Sequence, residues 1–175
     1  SAEGHAVRIN SSTVVKASRE DVWNLISDPE AYREFMSGFT RWELDGDGAS
    51  DADGRMRLGS RIRMLIRVGS AQVGGLIEIV ECKTGSDMAW SSVTGVDQRG
   101  RWRLRDSGEG KVRVELRFSY GVAGGGLPGV LAERVAKPIV ERRLRSSLLA
   151  MKKLAERDRL RREGRARREA AGASA

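Results

Sequence analysis

The stretch 127–160 constrains the fold of this chain most. It opens Leu127-Pro128-Gly129 and then contains no further glycine until Gly164. Apolar residues recur at three- and four-residue steps: Leu127, Leu131, Val135 and Ile139, then Val140, Leu144, Leu148, Met151 and Leu154. That period predicts an amphipathic helix. Pro128 suits its first turn, where a missing N–H costs nothing. The two apolar series lie on different stripes. The phase changes near Pro138, where loss of a backbone bond predicts a kink. A helix this long with an apolar face needs a broad surface to cover.

The preceding residues supply that surface. Segments 7–16, 40–45, 60–68, 73–82, 87–94, 99–105 and 112–120 read as strands. In 99–105, Arg99, Arg101, Arg103 and Arg105 alternate with Gly100, Trp102 and Leu104. In 112–120, Val112, Val114, Leu116, Phe118 and Tyr120 alternate with Arg113, Glu115 and Arg117. Such alternation means one wet and one buried face, as in an antiparallel sheet. Ile62, Met64 and Ile66 face inward on the same reading; Met88, Trp90 and Ser92 share a face, as do Trp42 and Leu44. Segment 73–82 is apolar on both faces, and its register stays open. The small inward residues Gly100 and Ser92 leave room between sheet and helix.

Two short helices follow the first strand. Ser18 is a good N-cap, and Asp21 three residues on echoes a capping box. Val22, Trp23, Leu25 and Ile26 form the apolar side of the first helix. Asp28-Pro29 opens the second, 30–37, with Tyr32, Phe35 and Met36 on its apolar face. Residues 46–54 (GDGASDADG) are flanked by strands and lack the glutamate and helices of an EF-hand, so they read as a solvated hairpin loop. Residues 121–126 form a glycine-rich hinge into the long helix.

At 175 residues the chain is one domain with a tail. One cysteine, Cys82, and one histidine, His5, rule out a disulfide framework and a Cys/His zinc site. A nucleophile–histidine pair would depend on His5, near the chain end. No metal and no cofactor are expected. No run approaches the roughly 20 apolar residues of a membrane span, and no signal pattern opens the chain, so the expected compartment is cytoplasmic. The net charge of +8 is uneven: from Lys152 onward nine Lys/Arg face four Asp/Glu, a surplus of five, which leaves +3 for the body. The outward arginines have charge partners at hand in Glu78, Glu81 and Glu115, and no aromatics interleave with them. Ion pairs explain that face, and nucleic acid is not the expected partner.

The run Val15-Lys16-Ala17-Ser18-Arg19-Glu20-Asp21-Val22-Trp23, continued by Asp28-Pro29 and Tyr32, resembles the opening of the START-like (SRPBCC) superfamily, in its polyketide cyclase/dehydrase and lipid-transfer-like branch. The resemblance covers 7–154. It implies an α+β helix-grip fold: a curved seven-stranded antiparallel sheet wrapped around a long C-terminal helix, two short helices after the first strand, and an apolar cavity between sheet and helix. The expected organisation is a disordered N-terminus (1–6), a START-like domain (7–154) and a charged helical or disordered tail (155–175).

On this reading the chain binds a hydrophobic small molecule (lipid, isoprenoid or polyketide-like) as a carrier or transfer protein. The expected lining is Trp42, Ile62, Met64, Trp90, Trp102, Leu116, Phe118, Tyr120, Leu131 and Val135, entered near 121–126 and 46–54. The methionines make an adaptable wall. The alternative is a polyketide cyclase or dehydratase using the same cavity. Such an enzyme needs a tuned proton donor or base there; the inward positions offer Tyr120, Ser92 and, register permitting, Cys82, and no catalytic residue is assigned. The tail pairs charges at helical spacing, Glu156 with Arg159, Asp158 with Arg161 and Arg162, Glu163 with Arg167. It is expected to leave the body near Leu154, to fray after Gly164, and to offer peripheral contact with anionic membrane.

Overall fold

The structure is a computed structural model that describes residues 6–46, 53–68, 70–121 and 127–174, without the side chains of 6, 68, 71 and 127–136. Seven strands form one antiparallel sheet: β1 (Ala6–Val15), β2 (Phe39–Leu44), β3 (Arg61–Val68), β4 (Ala71–Lys83), β5 (Asp87–Ser92), β6 (Gln98–Asp106) and β7 (Val112–Gly121). Their order is β1-β7-β6-β5-β4-β3-β2. Consecutive strands pair as hairpins from β2 to β7, and β1 closes onto β7 from Ala6↔Gly121 to Val15↔Val112. Helix α1 (Arg19–Ile26), a 3₁₀ turn (Pro29–Ala31) and α2 (Tyr32–Phe35) bridge β1 and β2, and α3 (Leu127–Ala173) follows β7. This is the helix-grip arrangement.

The alternating segments fold as their pattern requires. Along β6, Gln98, Gly100, Trp102 and Leu104 are buried, while their neighbours reach solvent. On β7, Val112, Val114 and Leu116 are buried. Register sums these into rows across the inner face: Met88↔Trp102↔Leu116, then Trp90↔Gly100↔Phe118, then Gln98↔Tyr120. A bulge between Ile79 and Glu81 shifts the register of β4, which reconciles its two-sided apolar sequence with one inner face: Ile77 and Ile79 are buried and Val80 is exposed. The outer face is laced with ion pairs. Arg61 meets Glu78 at 3.0 Å, Arg101 meets Glu81 at 2.5 Å, and Asp87 receives Arg105 at 3.2 Å with Arg101 and Arg103 beyond.

Ser18 caps α1 as its sequence indicates. The Ser18 hydroxyl accepts from Asp21 N and the Asp21 carboxylate accepts from Ser18 N, both at 3.1 Å. The second short helix is tighter and shorter than expected. It begins in 3₁₀ geometry at Pro29, capped by Asp28, and ends at Phe35, because Met36 is already extended and Gly38 takes φ +85°.

Helix α3 corrects two expectations. Its helical assignment runs through Pro138 and through Gly164 to Ala173, where fraying was expected after Gly164. Nor does it leave the body at Leu154. Leu144, Leu148, Met151 and Ala155 are buried along one stripe. Beyond them Glu156 accepts from Lys16 N at 3.0 Å, Arg159 donates to Lys16 O at 2.8 Å, and Arg162 grips the Asp21 carboxylate with both terminal nitrogens. The charge pairs along the described helix are Lys152–Glu156 and Arg159–Glu163, with Arg157 3.7 Å from its neighbour Asp158. They replace the expected set, because Arg162 is drawn to α1. Asp21 is well enclosed, which opposes its charge. The Arg162 guanidinium and the Ser18 N–H and hydroxyl outweigh that and hold its carboxyl below the usual range. Residues 1–5, part of the segment expected to be disordered, lie outside the described residues.

Candidate functional site

The space between sheet and α3 divides in two. One half is solid. Tyr32, from the short helices, stacks on Trp42 with centroids 4.2 Å apart and planes 2° from parallel. Its hydroxyl donates to Ile26 O at 2.6 Å and accepts from Trp102 Nε1 at 3.0 Å. Burial pushes this phenol well above its ordinary pKa. Phe35 meets Trp102 edge-on. Trp42, Ile62 and Trp102, all expected on the ligand wall, are packed core at or below 2% exposure and do not line the cavity that remains beside them. The reason is the short helices, whose aromatics plug this half of the grip.

The other half is open. A cavity of ≈ 190 Å³ lies between the β3–β7 inner face, the α2–β2 junction and α3. Of the expected residues, Met64, Trp90, Leu116, Phe118 and Tyr120 line it. The side chains of Leu131 and Val135 lie outside the described residues. The sequence reading missed Met36 and Phe39 from the α2–β2 junction, Leu144 and Ser147 from α3, and Gln98. Gln98 sits one inward step before Gly100, and extending the β6 alternation by two residues finds it. Ser147 is 2% exposed and accepts from Ser37 N at 2.9 Å, tying α3 to the α2–β2 junction. Arg143 stands at the edge, its guanidinium donating to Arg67 O at 2.7 Å.

Gly100 does not leave the room its size promised. A Cβ there would stand closer than 3.0 Å to three atoms of the Trp90 ring, so the indole already occupies that space. The same residue lines the cavity.

The mouth is marked by lining residues that reach solvent: Ser37, Val73 (40% exposed) and Val96 (36% exposed). Val96 adjoins Asp97, whose carbonyl accepts from Gly121 N at 3.0 Å, so the mouth borders the end of β7. Leu44↔Ile62, the end of the β2–β3 pairing from which 46–54 runs on, is the end away from Phe39 and Ile66, which line this cavity. Residues 47–52 and 122–126 are outside the described residues.

The interior is apolar with buried polar exceptions. Gln98 is 4% exposed; its Nε2 points at Met64 Sδ, 2.9 Å away, and its Oε1 has no hydrogen-bond partner. Trp90 Nε1 is buried and likewise without a partner. Among the described residues no group of three or more His, Cys, Asp or Glu is placed to hold a metal ion. No helix among them is long and apolar enough to cross a membrane.

Residues 6–156 match the profile of the family described as polyketide cyclase / dehydrase and lipid transport. The chain belongs to this family. No curated protein sequence matches it. Among solved structures, a protein of Thermus thermophilus superposes with TM-score 0.70 at 19% identity, covering 85% of this chain and 97% of that one. The Zhui aromatase/cyclase from a Streptomyces species gives TM-score 0.70 at 18% identity over 87% and 95%. A truncated norcoclaurine synthase from Thalictrum flavum gives 0.61 at 15% over 88% and 96%. Identities this low establish a shared helix-grip fold, and the family assignment makes this a helix-grip protein of the hydrophobic-ligand-binding kind.

Proposed function

We propose that the protein carries a hydrophobic small molecule, held in the cavity between β3–β7 and the middle of α3. The observation behind this is the cavity itself, walled by Met64, Trp90, Leu116, Phe118 and Leu144 and opening at Val73 and Val96. An apolar void of about 150 Å³ takes one benzene, so ≈ 190 Å³ takes one aromatic ring system or a short branched chain. Drug-sized ligands use about 300–1,000 Å³, so a longer molecule seats its tip inside and leaves the rest at the mouth. Met36 and Met64 adapt the wall to different shapes. Arg143 at the edge suits a polar or anionic end left outside.

The alternative, a cyclase or dehydratase, places its substrate in the same space. Of the described lining side chains, Arg143 carries a fixed positive charge, and an acid–base step would have to be built on the Tyr120 phenol. Native mass spectrometry of the purified protein, followed by delipidation and titration with an apolar fluorescent probe, tests the carrier reading. A co-purifying apolar species, or saturable probe binding abolished by Leu144→Trp, is the expected result. A stoichiometric, chemically unchanged occupant after prolonged incubation favours carriage over catalysis. Absence of any saturable binding would overturn both readings.

A further inference from the structure

Trp90 and Gln98 give the cavity a polar demand that its apolar walls do not explain. Both lie on the inner face, in adjacent rows of the sheet, Trp90↔Gly100 and Gln98↔Tyr120. Both line the cavity, and both are more than nine-tenths buried. Trp90 offers an unpaired N–H, and Gln98 an unpaired carbonyl oxygen. The Gln98 amide N–H₂ makes its contact with the Met64 sulfur, a weak acceptor. Trp42 Nε1 is also buried and unpaired, but Trp42 does not line the cavity and its N–H bears on no ligand.

Buried polar groups are retained where something pairs with them. Both atoms are shielded even from the empty cavity, and an occupant made only of hydrocarbon leaves them unpaired. One whose hydroxyl reaches them, on a small turn of either side chain, binds about tenfold more tightly for each group it pairs, at 1.4 kcal/mol per factor of ten. A site built to hydrogen-bond a ligand group rejects the analogue that lacks it far more strongly than an apolar wall rejects an extra methylene.

We infer that the cavity selects apolar ligands carrying a hydroxyl or enol inside the pocket, a group that accepts from Trp90 Nε1–H and donates to Gln98 Oε1. Trp90 and Gln98 are then the specificity-determining residues of the site. The inference rests on the carrier reading above, and adds to it the polar group that the bound end must present.

The test uses the full chain and two matched probes, 2-naphthol and 2-methylnaphthalene, which differ in a hydroxyl against a methyl. Kd for each is measured by fluorescence or calorimetry on the parent protein, Gln98→Met and Trp90→Phe. Gln98→Met nearly conserves volume; thermal midpoints and near-UV circular dichroism verify that each variant is folded. The ratio of the two Kd values removes the general hydrophobic difference between the probes. That ratio should move against 2-naphthol by about tenfold in each variant relative to the parent. In the parent, the indole N–H resonance that disappears in Trp90→Phe should shift on adding 2-naphthol and much less on adding 2-methylnaphthalene. This reading needs no binding by a variant. If both probes bind and the ratio is the same in all three proteins, the hydroxyl inference fails while the carrier reading stands. If neither probe binds the parent, both fall.

Discussion

Gly100→Ala is the sharpest test of how the cavity wall is built. The backbone at Gly100 is not in the left-handed region, so alanine meets no conformational strain there. In an unobstructed strand the change would stabilise by about 0.4–1 kcal/mol, through a less flexible unfolded chain. Here the added methyl would fall within 3.0 Å of the Trp90 six-membered ring. That ring is held edge-on against Trp42 at 6.2 Å, in packed core, and its open side is the cavity. Trp90 must therefore swing towards the void. Overpacking of this kind costs about 1–3 kcal/mol, and the net expectation is destabilisation by about 1–2 kcal/mol. For a chain of this size that lowers Tm by about 2–8 °C.

The same movement narrows the cavity, so 2-naphthol should bind Gly100→Ala more weakly than the parent even well below Tm. Differential scanning calorimetry, tryptophan emission and probe titration read the three consequences on one sample. Gly164→Ala is the control. Its Cβ would meet only Arg168, at 3.6 Å, in a helix where alanine is favoured, and it should not destabilise. A Gly100→Ala protein as stable as the parent, with unchanged emission and probe affinity, would refute the claim that the indole occupies the glycine's space.

Tyr32→Phe should cost about 1–3 kcal/mol in urea unfolding, because the Trp102 N–H loses its acceptor in a dry core. Trp102→Ala should cost about 3–5 kcal/mol by the same measurement, as befits packed core and not a half-open pocket wall. Asp21, Asp87 and Glu156 all have carboxyl groups held below their ordinary values of 3.8, 3.8 and 4.5; burial opposes this, and hydrogen bonds from Arg162, Arg105 and the Lys16 N–H respectively outweigh it. Because these values are lowered by folding, their stabilisation is present above about pH 4.5 and is lost as pH falls through the lowered values; urea midpoints at pH 6 and pH 3 should differ, and by less in Asp21→Asn. For the tail, sedimentation with anionic and neutral vesicles should show salt-sensitive binding to the anionic ones by the full chain and weaker binding by a chain ended after Glu163; equal binding by both would remove the tail from any membrane role. The cut belongs after Glu163 and not at Leu154, because Arg159 and Arg162 still hold the body.

The sequence carried the fold well because its inner and outer faces differ in kind. Arginine against Gly100, Trp102 and Leu104 admits one register only, since a slip of one residue would bury a row of guanidinium groups. The cavity was half legible. Period-two alternation says that Trp42, Ile62 and Trp102 face inward, but nothing in it says that Tyr32 and Phe35 will cover that part of the inner face. Those contacts are long-range, made by a four-residue helix too short to carry a strong periodic signal. Gln98 is hidden for a local reason: it is polar and stands at the strand's edge, one residue before the alternating run 99–105. The tail was misread because its charges have good partners four residues away, while the partner that matters for Arg162 is Asp21, far off in sequence.

That last contact bears on how the grip holds its cavity open. The Asp21 carboxylate caps the first turn of α1 and receives Arg162 from α3, so one group orders a helix start and fixes the far end of the gripped helix. Within the first half of α3, Ser147 and Arg143 tie it to the α2–β2 junction and to the end of β3. Between these anchors α3 presents Leu144, Leu148, Met151 and Ala155 to the sheet. The short helices fill the space facing Trp42 and Trp102, and no equivalent short element among the described residues covers Trp90, Gln98 and Phe118. A helix tied at Arg143, Ser147 and Arg162 is held from settling into the gap that remains beside the packed core.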